Sequence, residues 1–188
     1  MQKEVPLKKV SSKIVYQNPW VKIREDTTED LNGNKGIYGV MESNNSVMVI
    51  TLNQQNQVYL IRKFDYPAQA WNWELPGGGG DNEDSITAAK RELFEETGIN
   101  ASNWVILGKT RACNGLMTEK VSTILAQDLK FNERPVADDT DSIVEGKFFS
   151  IDQIYSLIKN GEIDDNQTIT GIYLAEQWLK NNQCAQIG

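Results

Sequence analysis

The chain has no histidine, only two cysteines, and no apolar run long enough to cross a bilayer. Each absence removes a class of function. Without histidine there is neither a Ser-His-Asp triad nor a Cys-His pair. Any general base must then be a carboxylate, a metal-activated water or, less readily, Lys or Tyr. Cys113 and Cys184 form neither a disulfide framework nor a metal-ligand cluster, which reads as a reducing, cytoplasmic setting. The best apolar run, Ser46–Leu52, has the length of a strand and falls far short of the ~18–20 residues of a membrane span, so no membrane partner is expected. The opening Met1-Gln-Lys-Glu-Val-Pro6 lacks the apolar core of a secretory signal. Cations are also scarce, with 19 Lys and Arg against 26 Asp and Glu and a net charge of −7. Affinity for polyanions comes largely from clustered Lys and Arg, so no nucleic-acid partner is expected. An acidic protein still handles phosphates when metal cations mediate the contact.

What remains is sufficient for a folded enzyme. The 188 residues, 39% hydrophobic and 24% charged, suit one domain or one domain with a small appendage. Lys13–Tyr16 and Val21–Asp26 alternate apolar and polar residues, and Asn32-Gly33-Asn34 is a turn signal. Further strands are expected at Gly36–Met41, Ser46–Leu52, Val58–Phe64, Trp104–Thr110, Val121–Ala126 and Glu145–Phe149, with Asn53–Asn56 as a hairpin connection. A helix is predicted over Asp84–Thr97, capped by Asp84 or Ser85, stopped by Gly98, and anchored by Ile86, Ala89 and Leu93. Ser150-Ile-Asp-Gln153 reads as a capping box opening a helix that ends near Gly161. Gln167–Lys180 carries Ile169, Ile172, Ala175 and Leu179 on one face. Strands, helix, strands, then two helices predict a mixed α+β or layered α/β/α domain and not a doubly wound nucleotide fold.

The chemistry concentrates in Gly77–Ile99. Glu92, Glu95 and Glu96 are spaced i, i+3, i+4, which puts three carboxylates on one helical face. Like charges so close repel, and Arg91 alone cannot neutralise all three. Divalent cations can, and carboxylate oxygens on a rigid helix suit Mg²⁺ or Mn²⁺. The glycine run Gly77–Gly80 lets the backbone turn tightly and approach a ligand. A charge run such as Glu92–Glu96 taken alone reads equally well as a solvated helix face.

The same stretch resembles the Nudix box, G-x5-E-x7-R-E-U-x-E-E-x-G-U with U a bulky aliphatic residue, at every defined position from Gly77 to Ile99. At average residue usage, such a match arises by chance in on the order of one chain in a million. The resemblance implies a Nudix-type α/β/α sandwich with a mixed sheet and a metal-dependent pyrophosphohydrolase. It also implies roles. Glu92, Glu95 and Glu96 would bind the metals, with Gly77 or Gly78 lending a carbonyl. Arg91 would orient the carboxylates, paired with Glu83 or Glu95. The spacing from Pro76 to Glu83 is one residue shorter than the family often has. The base would be Glu92 or Glu96, or Asp139 or Asp141 from the late loop Ala137–Ser142, a stretch that also reads as a solvated acidic turn.

Beyond the box, Trp73-Glu74-Leu75-Pro76-Gly77 and the N-terminal strands resemble the ADP-ribose and nucleoside-diphosphate-sugar branch. That implies an N-terminal β-strand region at 1–43 serving a homodimer, and a catalytic domain at 44–188. Arg62, Glu74 and Glu119 are candidate contacts to a small-molecule nucleoside diphosphate, with Arg111 a further phosphate candidate. Trp20, Tyr66, Trp71 and Trp73 can stack on a base, although packing is the commoner role of such residues. Two departures stand out: Asp65 occupies the position where the branch commonly has an arginine, and Asn114-Gly115 the position where ADP-ribose hydrolases commonly have a proline. Two other functions compete: a regulatory module that binds a nucleotide sugar without cleaving it, which would be expected to lose box carboxylates, and a cap or dinucleoside-polyphosphate hydrolase.

Overall fold

The computed structural model describes residues 4–80, 83–132 and 143–184, with side chains through Asn182. The candidate bases Asp139 and Asp141 lie outside the described residues. The chain divides into two units, Met1–Asn44 with Arg111–Glu119, and Asn45–Thr110 with Lys120–Gly188. Among the described residues, no helix is long and apolar enough to cross a membrane.

In the first unit, β1 (Leu7–Gln17), β2 (Lys22–Asp30) and β3 (Lys35–Glu42) form an antiparallel sheet in that order. The β2–β3 turn is fixed by Asp30, whose carboxylate accepts the Asn32 and Asn34 amides at 2.8 and 2.9 Å. Gly33 supplies the left-handed residue of the turn, at φ 81°. The 111–119 segment joins this unit through backbone bonds to the end of β3: Met41 N–H donates to Leu116 O and Thr118 N–H to Met41 O. Strand β1 is exposed along its whole length, including Val10, Ile14 and Val15.

The second unit is built on a seven-stranded mixed sheet. It comprises β4 (Ser46–Leu52), β5 (Val58–Asp65), β6 (Ala70–Glu74), β7 (Gly77–Gly79), β8 (Ile99–Arg111), β9 (Lys120–Phe131) and β10 (Ile143–Phe149). The main order is β10-β5-β4-β9-β8, with β6 on β5 and β7 on β4. Strands β4 and β9 pair in parallel, Val47 opposite Ser122 and Val49 opposite Ile124. Buried on both faces, they read as near-continuous apolar runs, as central strands should. The predicted hairpin joins β4 to β5, with Asn53 N–H on Gln57 O and Asn56 left-handed at φ 57°.

Alternation along β4 assigns its two faces to different helices. Val47 and Val49 pack with Ile124, Ala126 and the buried Ala88, Ala89 and Leu93 of α1 (Ser85–Thr97). Ile50 faces α3 (Asn166–Cys184), where Gly171 lies so close that a Cβ there would sit 2.6 Å from Leu75 and 3.3 Å from Ile50. Helix on sheet on helix is the expected layered architecture. The third helix, α2 (Ile151–Asn160), carries the expected capping box at Ser150 and Gln153 and ends at Gly161, φ 76°.

Three details differ from the sequence reading. Strands β6 and β7 were not expected there. In α1, Ala88 is buried where Ile86 is only half-buried, so the inward stripe is rotated toward the small residues that sit close to the sheet. In α3, Ile169 is exposed and Thr168 takes the inward position, because its Oγ1 accepts the buried Leu75 N–H at 3.0 Å.

Candidate active site

The site begins with the ends of α1. Asp84 caps the helix by accepting the Ile86 and Thr87 amides, both at 3.1 Å. Gly98 closes it in the left-handed conformation, donating its N–H to Phe94 O. With Ala88, Ala89 and Leu93 turned into the core, the helical repeat puts Glu92 and Glu96, one turn apart, at the side where β7 crosses. Their side chains are 13% and 11% exposed, against 54% for Glu95, so Glu92 and Glu96 form the inner pair.

The glycines of β7 make that crossing possible. Strand β7 pairs with β4 so tightly that a Cβ on Gly77 would lie 2.2 Å from Val47 O, and one on Gly78 would lie 2.7 Å from the Glu92 carboxylate. Gly77 N–H donates to Glu96 Oε2 at 2.8 Å. Backbone and carboxylates therefore share one small volume, and only glycine leaves room for both.

Arg91 gathers the remaining acids. Its guanidinium reaches Glu83 at 3.1 Å, Glu92 at 2.8 Å, Glu95 at 3.2 Å and the Gly79 carbonyl at 2.9 Å. The sequence reading offered Glu83 or Glu95 as its partner; it takes both, and Glu92 besides. Sequence reasoning missed Lys63 entirely. From β5 its ammonium lies 2.8 Å from Glu96 Oε1 and 3.7 Å from Glu74 Oε1. A signal existed: alternation along β5 places Lys63 on the same face as the buried Ile61, an unusual place for a lysine without a partner.

The electrostatics are those of a desolvated acidic cluster short of positive charge. Burial raises the Glu92 carboxyl above its ordinary value. Arg91 pulls it back down, and Glu96 and Glu95 push it further up. Burial raises Glu74 to about 7 against the pull of Lys63, with Glu96, Asp165 and Asp65 adding to the rise. Lys63 is held above its ordinary value: burial works against its charge, but Glu96, Glu74 and Glu92 outweigh it. Among the described residues, no three acidic, His or Cys side chains already converge as a metal cage, the positive charge here coming from Arg91 and Lys63. The donor set nonetheless fits a divalent cation. It offers half-buried carboxylate oxygens one helical turn apart and a glycine backbone that a Cβ would push off them.

The other sequence candidates differ in placement. Arg62 is exposed and, one residue from Lys63 on a regular strand, points to the opposite face, so it does not gather with the box carboxylates. Glu74 does gather with them, through Lys63. Glu119 falls in the first unit, and Arg111, the last residue of β8, begins the segment that clusters with it. Trp73 is buried, edge-on to Phe149 at 4.9 Å, and Trp71 packs on Phe64 at 5.3 Å. Trp20 and Tyr66 are exposed at 83% and 78%, and Trp20 lines a cleft of about 450 Å³ within the first unit, together with Asn18, Lys22, Glu42 and Asn44. Asp65 accepts Ala68 N–H and shapes the turn into β6.

A layered α/β/α unit thus lays a glycine strand across a Glu-rich helix. The chain belongs to the Nudix family, whose NUDIX domain matches residues 42–170. Ahead of it, residues 7–41 match the nucleoside diphosphate sugar hydrolase N-terminal domain, which narrows the branch. Among curated relatives, the methanol dehydrogenase activator of Bacillus methanolicus is 24% identical, covering 88% of this chain and 90% of that one. The ADP-ribose pyrophosphatase of Mycobacterium tuberculosis is 25% identical over 87% of this chain and 80% of its own. The fold is shared with a solved structure described as an ADP compounds hydrolase, with a TM-score of 0.85, 20% identity, and coverage of 97% and 98% of the two chains. Nudix hydrolases generally use divalent metal ions.

Proposed function

We propose that this enzyme hydrolyses the pyrophosphate bond of a nucleoside diphosphate sugar or ADP-ribose, with Mg²⁺ or Mn²⁺, giving a nucleoside monophosphate and a sugar phosphate. The observation that carries the reading is the inner pair Glu92 and Glu96 against the Gly77-Gly78 backbone. The N-terminal domain match and the pyrophosphatase named above support the substrate class.

In this reading Glu92 and Glu96 hold the metal, with Glu95 at the outer edge and a carbonyl of Gly77 or Gly78 within reach. When bound, divalent cations supply a lowered water pKa, shielding of the phosphates and stabilisation of the leaving oxygen. The protein does the positioning. Gly77 N–H fixes one oxygen of Glu96, Arg91 ties Glu92 and Glu95 to Glu83, and β7 is anchored in turn by Arg91 on the Gly79 carbonyl. A carboxylate takes the proton of the attacking water: Glu92, Glu96, or a late-loop aspartate, Asp139 or Asp141.

Residues 1–43 are assigned to dimerisation and 44–188 to catalysis. The exposed apolar side chains of β1, with Ile37 of β3 at 73% exposure, support a homodimer through that sheet. Light scattering at micromolar concentration tests it, a monomer counting against it. A free, exposed Cys113 fits a reducing cytoplasm. The function itself is tested by a panel of ADP-ribose, UDP-, GDP- and ADP-sugars, dinucleoside polyphosphates and nucleoside triphosphates with Mg²⁺. Monophosphate plus sugar phosphate from the first two groups is expected. Turnover confined to triphosphates or dinucleoside polyphosphates would refute the substrate class.

A further inference from the structure

Both carboxylate oxygens of Glu96 are already engaged by the protein itself. One carboxylate oxygen accepts Gly77 N–H and the other accepts the Lys63 ammonium, both at 2.8 Å, on a side chain only 11% exposed. A divalent cation that takes Glu96 as ligand would share that carboxylate with the ammonium, and two cations on one half-buried carboxylate repel each other. Lysine carries its charge on a flexible four-carbon stem, and a second carboxylate, Glu74, lies 3.7 Å from the same nitrogen. The ammonium thus has a second seat that needs only a side-chain rotation and no transfer into water.

We infer that Lys63 is a displaceable internal counter-ion, which holds Glu96 in place while the site is empty of metal and shifts onto Glu74 when a divalent cation enters. The inference rests on the reading of Glu92 and Glu96 as metal ligands. Lys63 is then a positioning residue that sets metal affinity. It lowers that affinity by competing, and it stabilises the metal-free protein by neutralising the cluster. A lysine that merely braced Glu96 for its metal would act in the opposite sense on affinity.

The test is Mn²⁺ binding, followed by the electron paramagnetic resonance of free Mn²⁺, in the full-length wild type, Lys63→Gln, Lys63→Arg and Glu96→Gln. Thermal midpoints are read in parallel in chelator and in saturating Mn²⁺. Lys63→Gln is expected to bind Mn²⁺ at least about tenfold tighter, equivalent to about 1.4 kcal/mol. It should melt below wild type in chelator, with the gap closing when Mn²⁺ is saturating. Lys63→Arg keeps the charge and should bind no tighter than wild type. Unchanged or weaker binding by Lys63→Gln, or tighter binding by Lys63→Arg, overturns the inference while leaving the metal site standing. A wild type that binds no Mn²⁺, or a Glu96→Gln variant that binds as wild type does, overturns the parent reading and the inference with it.

Discussion

Two neighbouring glycines should respond in opposite ways to the same substitution. At Gly78 a Cβ would lie 2.7 Å from the Glu92 carboxylate carbon and 2.7 to 2.8 Å from its oxygens. Ordinary contact requires roughly 0.7 Å more. Neither glycine adopts positive φ, so alanine adds no backbone strain at either. The obstacle at Gly78 is the far end of a flexible side chain, which can swing away at little cost to the fold. The swing moves Glu92 off its place in the site, and a displacement approaching 1 Å in a positioned catalytic group costs about 10²-fold in rate. At Gly77 the obstacle is the Val47 carbonyl at 2.2 Å, in the middle of the sheet, and backbone cannot swing. Overpacking of this kind costs typically about 1–3 kcal/mol or more. Gly78→Ala should therefore melt near wild type in chelator yet lose about two orders of magnitude in Mg²⁺-dependent turnover of ADP-ribose or a nucleotide sugar. Gly77→Ala should melt well below wild type. Differential scanning calorimetry with steady-state kinetics separates the two, and a Gly78→Ala enzyme with unimpaired turnover would refute the reasoning.

Glu96→Gln should abolish most turnover while leaving the circular dichroism of the fold intact; near-normal Mg²⁺-dependent hydrolysis would remove Glu96 from the site. Thr168→Val orphans the buried Leu75 N–H, which costs about 1–3 kcal/mol. In a chain of this size that lowers the melting midpoint by about 2–12 °C, and an unchanged midpoint would show the bond to be dispensable. Glu74 has a folded pKa of about 7 against an ordinary 4.5, so between those values the folded state binds more protons than the unfolded one. Stability contributed by this group is thus present at low pH and falls as pH rises from about 4.5 to 7, by at most about 1.4 kcal/mol per pH unit. Glu74→Gln should flatten that slope in thermal melts made with chelator, and an equally steep slope in the variant would assign it to another group.

The sequence made α1 legible because its signals agree. Asp84 caps it, Gly98 stops it, the apolar spacing is helical, and the glutamates fall on the remaining face. The capping box of α2 was equally plain. Strand β7 escaped notice because glycine has low strand propensity and no side chain to pattern. Its pairing with β4 arises from close approach, visible only once Val47 is placed beside it. Thr168 and Ile169 exchanged roles because a buried backbone N–H 93 residues away needed an acceptor, and a polar partner outranked an apolar one. Lys63 was hidden for the same kind of reason: its partner Glu96 is 33 residues distant. Local pattern sees the helix that bears the carboxylates, and tertiary pairing decides which cation reaches them.

The most direct measurement is anomalous scattering from a crystal of the full chain soaked in Mn²⁺. The account predicts a manganese peak against the carboxylates of Glu92 and Glu96. Those side chains still bound to Arg91 and Lys63, with no peak beside them at saturating Mn²⁺, would contradict it.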